Sequence, residues 1–140
     1  MSPAPSAAEM EADPAVREAF AVAWIDSFSD DPKLRHEEGG FLYYNPGTGA
    51  ITVRRAPPGK RDEINLSYPP ILQGWFLVAT YHTHPKPPDG VVTAEPSPQD
   101  RKCAAESGVP WFVVSHKGNS VAGPERRVGG LSGSPTYPSD

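Results

Sequence analysis

Residues Trp75 to Tyr81 form the longest apolar run in the chain, and they lead directly into His82-Thr83-His84-Pro85. The run is strand-sized and has no polar face, so it predicts a central strand covered on both sides. Side chains at i and i+2 of an extended segment point the same way. Both imidazoles can therefore reach one ion from the end of a single buried strand. Pro85 helps hold the exit of that strand extended.

Signals on either side of this strand predict the other elements. Asp13-Pro14 reads as an N-cap followed by proline at the first helical position. Val16, Phe20, Val22, Ala23, Trp24 and Phe28 then recur as an apolar stripe, predicting a helix over residues 14–29. Phe41–Tyr44 and Ala50–Arg54 flank Asn45-Pro46-Gly47-Thr48-Gly49, which predicts a hairpin. A short strand is expected near Ile64–Leu66. Ser97-Pro98-Gln99-Asp100 opens a second helix, over 98–107, that Gly108 ends. Residues 110–115 read as a further strand, turning at Lys117-Gly118-Asn119. The order helix, hairpin, strand, helix, strand implies a layered α/β (α+β) fold in one domain. Residues 1–13 and 129–140 are small, polar and rich in proline or glycine, so both are expected to be mobile tails around a domain at 14–128.

Composition narrows the function. The chain has 140 residues, enough for one ordinary domain, with 13 basic and 17 acidic side chains and no basic run. A net charge of −4 argues against nucleic acid as a partner. No stretch approaches the ~20 apolar residues of a membrane span, so no membrane partner is expected. The first residues, MSPAPSAAEMEADP, have neither the basic nor the apolar region of a signal peptide, so a cytoplasmic location is expected. The single cysteine, Cys103, excludes an intramolecular disulfide and a multi-cysteine metal cluster.

Three further residues complete a chemical constellation with the histidines. Asp100 falls in the first turn of the second helix, where the dipole favours a carboxylate. With His82 and His84 it makes three ligands for one Zn2+ per chain, leaving the fourth tetrahedral position open, as in catalytic zinc sites. Glu37, in Glu37-Glu38-Gly39-Gly40-Phe41-Leu42, stands just before a strand whose glycines admit a neighbouring backbone. It is the candidate general base, with Glu38 the alternative if the register shifts by one. Ser97 can cap its helix and also donate a hydrogen bond to a developing oxyanion.

Glu, then His-x-His-Pro, then Ser-x-x-Asp, in that order, resembles the JAMM motif of the JAB/MPN metalloproteases. In that family the glutamate lies three before a glycine and five before an aliphatic residue, positions that Gly40 and Leu42 fill relative to Glu37. The resemblance spans roughly residues 14–128. It implies a JAB/MPN-like (cytidine deaminase-like) mixed β-sheet flanked by helices. His82, His84 and Asp100 match the zinc ligands, Glu37 the base and Ser97 the oxyanion-side serine. The implied activity is hydrolysis of a peptide or isopeptide bond in a protein or peptide substrate with an extended tail, such as a ubiquitin-like conjugate. Two departures stand out: Thr83 replaces the serine often found between the histidines, and the stretch 86–96 is longer than usual, so a remodelled rim is expected. The chain most resembles small prokaryotic stand-alone members.

Two other readings compete: a non-catalytic MPN-like interaction module, and a toxin-type metalloprotease effector with an immunity partner. The presence of all three ligands and the base favours an enzyme. Cys103, one helical turn beyond Asp100, reads as a small hydrophobe under the site. His36 and His116 read as surface or satisfied histidines. Trp75, Phe76 and Trp111 read as core first and substrate groove second. The Gly129-Gly130 end reads as flexible tail rather than a modifier terminus.

Overall fold

In the computed structural model, which describes residues 3–85 and 95–131, the predicted hairpin is strands β1 (Gly39–Asn45) and β2 (Ala50–Arg55). The apolar run becomes β3 (Phe76–His84), which extends through both histidines. Strands β4 (Trp111–Ser115) and β5 (Gly118–Ala122) complete one five-stranded sheet of order β2-β1-β3-β4-β5. β3 is central, as its unbroken apolar character requires. It pairs antiparallel with β1 and parallel with β4, so the sheet is mixed and the fold α+β in a single domain. The turn at Lys117–Asn119 continues into β5, which the sequence reading stopped short of.

Helices cover both faces. Helix α2 (Pro14–Asp26) starts on the Asp13 cap, whose carboxylate accepts from the Ala15 and Val16 N–H groups. It buries Val16, Phe20 and Ala23 against Leu42, Val78, Tyr81 and Phe112. The stripe is narrower than predicted, and the helix is three residues shorter. Val22 is exposed, and Phe28 leaves the helix at φ 52° with its ring half in solvent. On the other face, α3 (Pro98–Ser107) spans the connection from β3 to β4 and buries Ala104 among Phe41, Tyr43, Leu77 and Trp111. The Ser97 start and Gly108 stop are as predicted, with Gly108 at φ 71°.

Three expectations are corrected. Residues 1–13 are not a loose tail where they are described. Ser6 and Glu9 form a reciprocal capping box on helix α1 (Ala7–Ala12), and Met10 is fully buried in the core. Ala7 N–H donates to Glu125 O at 2.7 Å, and Arg126 Nη1 to Ala4 O at 2.8 Å. At the other end, Leu131 is buried in the same cluster, and Arg127 donates to Leu77 O and Gly130 O. The packed unit therefore runs past 128 through 131; the remainder of the expected tail, 132–140, lies outside the described residues. The strand expected near Ile64–Leu66 is absent. Prolines at 57, 58, 69 and 70 bracket an irregular segment that buries Leu66 without pairing to the sheet.

These contacts give the first prediction. Met10→Ala removes a fully buried side chain that bridges α1 to the sheet and is expected to cost ~2–4 kcal/mol. Chemical denaturation checks this; an unchanged midpoint would show that α1 contributes nothing to the core.

Candidate metal centre and active site

His82 and His84 leave the central sheet on the α3 face, because the strand alternation is kept to the end of β3. Thr83 points the opposite way, toward α2. The two Nε2 atoms approach to 3.1 Å. Asp100 closes the group: Oδ1 lies 3.2 Å from His82 Nε2, and Oδ2 3.3 Å from His84 Nε2. Asp100 is the third residue of α3 and also serves its cap. Its Oδ2 accepts from Ser97 N–H at 2.8 Å while Ser97 Oγ accepts from Asp100 N–H at 3.0 Å. The capping box that starts the helix thus fixes the carboxylate against both imidazoles.

Two imidazole nitrogens and a carboxylate gathered at these distances make a hard-to-borderline N,N,O donor set able to hold a metal ion. The close Nε2–Nε2 approach and the Asp100 carboxylate gather three donor atoms within 4.8 Å of one another, near enough to share one cation. His82 Nδ1 is buried without a hydrogen-bond partner among the described residues, so Nε2 is the ring nitrogen this geometry offers as ligand. Burial by itself raises the Asp100 pKa, but the His82 and His84 hydrogen bonds outweigh it and hold the carboxyl well below the usual range. A ligand that stays ionised is what a cation requires.

Of the two adjacent glutamates, the geometry separates one from the other. Glu37 lines a cavity of about 500 Å3 together with His82, His84, Ser97 and Asp100. Glu38 points away, accepting from Arg55 Nη2 at 2.6 Å and meeting His36 Nε2 at 2.5 Å. Its carboxylate is engaged by these partners, which leaves Glu37 as the glutamate of the pair that faces the cavity. Burial pushes Glu37 up to about 8 in the metal-free protein, partly offset by the nearby His84 charge and reinforced by Asp100.

Three local devices hold Glu37 in register with the ligands. Its N–H donates to Lys60 O at 2.7 Å, and its carbonyl accepts from Gly59 N–H at 2.9 Å. Next to it, Glu38 N–H donates to Thr83 Oγ1 at 3.0 Å, and Thr83 Oγ1 meets Ser27 Oγ at 2.6 Å. Because Ser27 Oγ–H donates to Ala23 O, the Thr83 hydroxyl donates to Ser27, so one ordered chain joins α2, β3 and the start of β1. The third device is Gly39, paired with His82 across the sheet. A Cβ there would lie 2.3 Å from Tyr81 O and 3.0 Å from the His82 Cα. Gly40 is as tightly placed, 2.2 Å from Arg54 O. Gly39→Ala must therefore push β1 from β3 beside the ligands, at a cost of ~2–3 kcal/mol. Thermal melting and zinc titration on one sample check this, and an unshifted midpoint would refute the close approach.

The remaining sequence candidates separate cleanly. Cys103 packs beside the α3-side core, and burial raises its thiol pKa. His36 is satisfied by Glu38 and Leu34 O, and His116 is exposed. Trp111 is buried in the core, and it also lines the cavity, with its ring 6.2 Å from that of His82. Sequence reasoning missed Arg35, Arg61, Ile64 and Leu66, which also line the cavity. For Arg35 the signal available was its place two residues before Glu37. The expected long rim at 86–96 falls outside the described residues over 86–94.

No curated protein and no solved structure matches the chain. The family model for prokaryotic homologs of the JAB domain matches residues 30–128, from just before Glu37 to beyond β5. That span includes all five strands, α3 and every residue of the His82–His84–Asp100 group. On that match and this architecture, the chain belongs to the prokaryotic JAB-domain family.

Proposed function

We propose that this protein is a JAMM-type zinc hydrolase that cleaves a peptide or isopeptide bond, with Glu37 as its proton-transfer base. The observation that carries the reading is a His-His-Asp donor set facing the same cavity as a buried glutamate whose carboxylate no hydrogen bond or ion pair engages among the described residues. A bound zinc ion supplies Lewis acidity at such a set, polarising a carbonyl and making a water more acidic.

The chain's own residues do the rest. Ionised Glu37 takes a proton from the attacking water and returns it to the leaving amine nitrogen. Ser97 Oγ accepts from the Asp100 N–H, which leaves its own proton to donate to the carbonyl oxygen as charge develops there. Capping and catalysis are thus compatible in one hydroxyl. Ile64, Leu66 and Trp111 offer an apolar wall against which an extended chain segment can lie. This supports a protein or peptide substrate presenting a tail.

Metal analysis and cleavage of lysine-linked and linear peptide conjugates test the reading together. One zinc per chain and chelator-sensitive cleavage restored by zinc are expected. Failure to take up added zinc, or cleavage that survives chelation, would end it.

A further inference from the structure

The cavity contains a cation that the hydrolytic machinery does not use. Arg35 lines it and is only 7% exposed. Its Nε donates to Ser29 O at 2.9 Å, but Nη1 is buried with no hydrogen-bond partner among the described residues. No ion pair among those residues joins Arg35 to Glu37, Asp62, Glu63 or Asp100, the acidic groups that line the cavity. The second cation there, Arg61, is exposed and donates to Pro32 O. A buried donor left unpaired costs ~1–3 kcal/mol, and more when charged, so native proteins rarely keep one without use.

We infer that Arg35 binds a carboxylate of the substrate beside the bond that is cut, supplied by an Asp or Glu side chain or by a free C-terminus. The inference deepens the hydrolase reading and rests on it for the placement of a scissile bond in this cavity. Arg35 and Glu37 are two residues apart and line the same cavity, so a group held by one lies near the other. With Nε committed to Ser29, the two Nη nitrogens remain to receive an acceptor. A carboxylate matches them with two parallel, charge-assisted bonds. An amide or basic side chain leaves the guanidinium desolvated and poorly paired, so the site discriminates for acid.

The test follows the Arg35 side-chain Nε–Hε signal by NMR in the full chain, zinc-loaded and metal-free. One probe pair is acetyl-Gly-Glu-Gly-amide against its Gln counterpart; the other is acetyl-Gly-Gly-Gly as free acid against its amide. A shift with a carboxylate probe and not with its amide partner, in both metal states, is expected. The first pair reports a side-chain source and the second a C-terminal one. Arg35→Lys, which retains charge without the fork, is expected to weaken that probe about tenfold.

No Arg35 response to either carboxylate, an equal response to the amides, or a response only with zinc present would overturn the assignment. The last outcome would mean that the metal holds the carboxylate. Loss of zinc binding or cleavage would sink the hydrolase reading while leaving the metal-free Arg35 response intact. Cleavage without that response would overturn this inference alone.

Discussion

Asp100→Asn is expected to give a folded protein that has lost its grip on zinc, with affinity down ~100-fold or more and hydrolysis lost with it. The carboxylate contacts both imidazoles and is held ionised by them, so an amide removes a full ligand charge at the centre of the group. The fold is spared because an amide oxygen can still accept from Ser97 N–H at the helix start. Competition against a chromophoric chelator measures the affinity, and circular dichroism confirms the helix. Unchanged zinc affinity in a folded variant would remove Asp100 from the ligand set.

Glu37→Gln should do the reverse. Zinc stays, because Glu37 is not one of the three clustered donors, while turnover falls ~100-fold or more. Glu38→Gln breaks the Arg55 and His36 contacts instead and should lower stability more than turnover. Cys103→Ser should leave both zinc and turnover in place, since the thiol is packing. An active Glu37→Gln with an inactive Glu38→Gln would reverse the assignment.

The same variant carries a pH signature in the metal-free protein. Burial pushes the folded-state pKa of Glu37 up from 4.5 to about 8. Below pH 4.5 the carboxyl is protonated in both folded and unfolded chains, and its effect is constant. Between 4.5 and 8 the unfolded chain sheds the proton while the native state keeps it, so stability falls as pH rises, by ~1.4 kcal/mol at most per pH unit. Glu37→Gln cannot lose a proton. Its metal-free stability should match wild type near pH 4.5 and exceed it increasingly up to pH 8. Parallel denaturation curves across that range would sink the claim that this carboxyl is buried at a cost.

Local chemistry made much of the molecule legible. Ser97-Pro98-Gln99-Asp100 carries cap, first-turn proline and capping-box acid within four residues, so α3 begins and ends where its sequence says. The hairpin follows from its turn residues, and β3 from an apolar run with no polar face. What failed was what local signals cannot hold. Helix α1 is six residues long, too short to persist on its Ser6–Glu9 capping box alone, and Met10 docking into the core holds it in place. Phe28 fits the stripe of α2, yet the chain turns at Ser27, whose hydroxyl is needed by Thr83.

The site divides along the same line. Residue types and spacing, read along the chain, picked out His82, His84, Asp100 and the Glu37-Glu38 pair as candidates, because each pair or turn is a short-range relation; the tertiary structure turns Glu37 and not Glu38 into their cavity. Only tertiary structure decided that Arg35 shares their cavity with its Nη1 unpartnered among the described residues, that the proline-bracketed segment forms its apolar wall, and that Gly39 must lack a side chain beside His82. Those facts depend on which strands become neighbours and how closely their backbones approach. That is set by the packing of the whole sheet between its helices, to which each local segment contributes only a part.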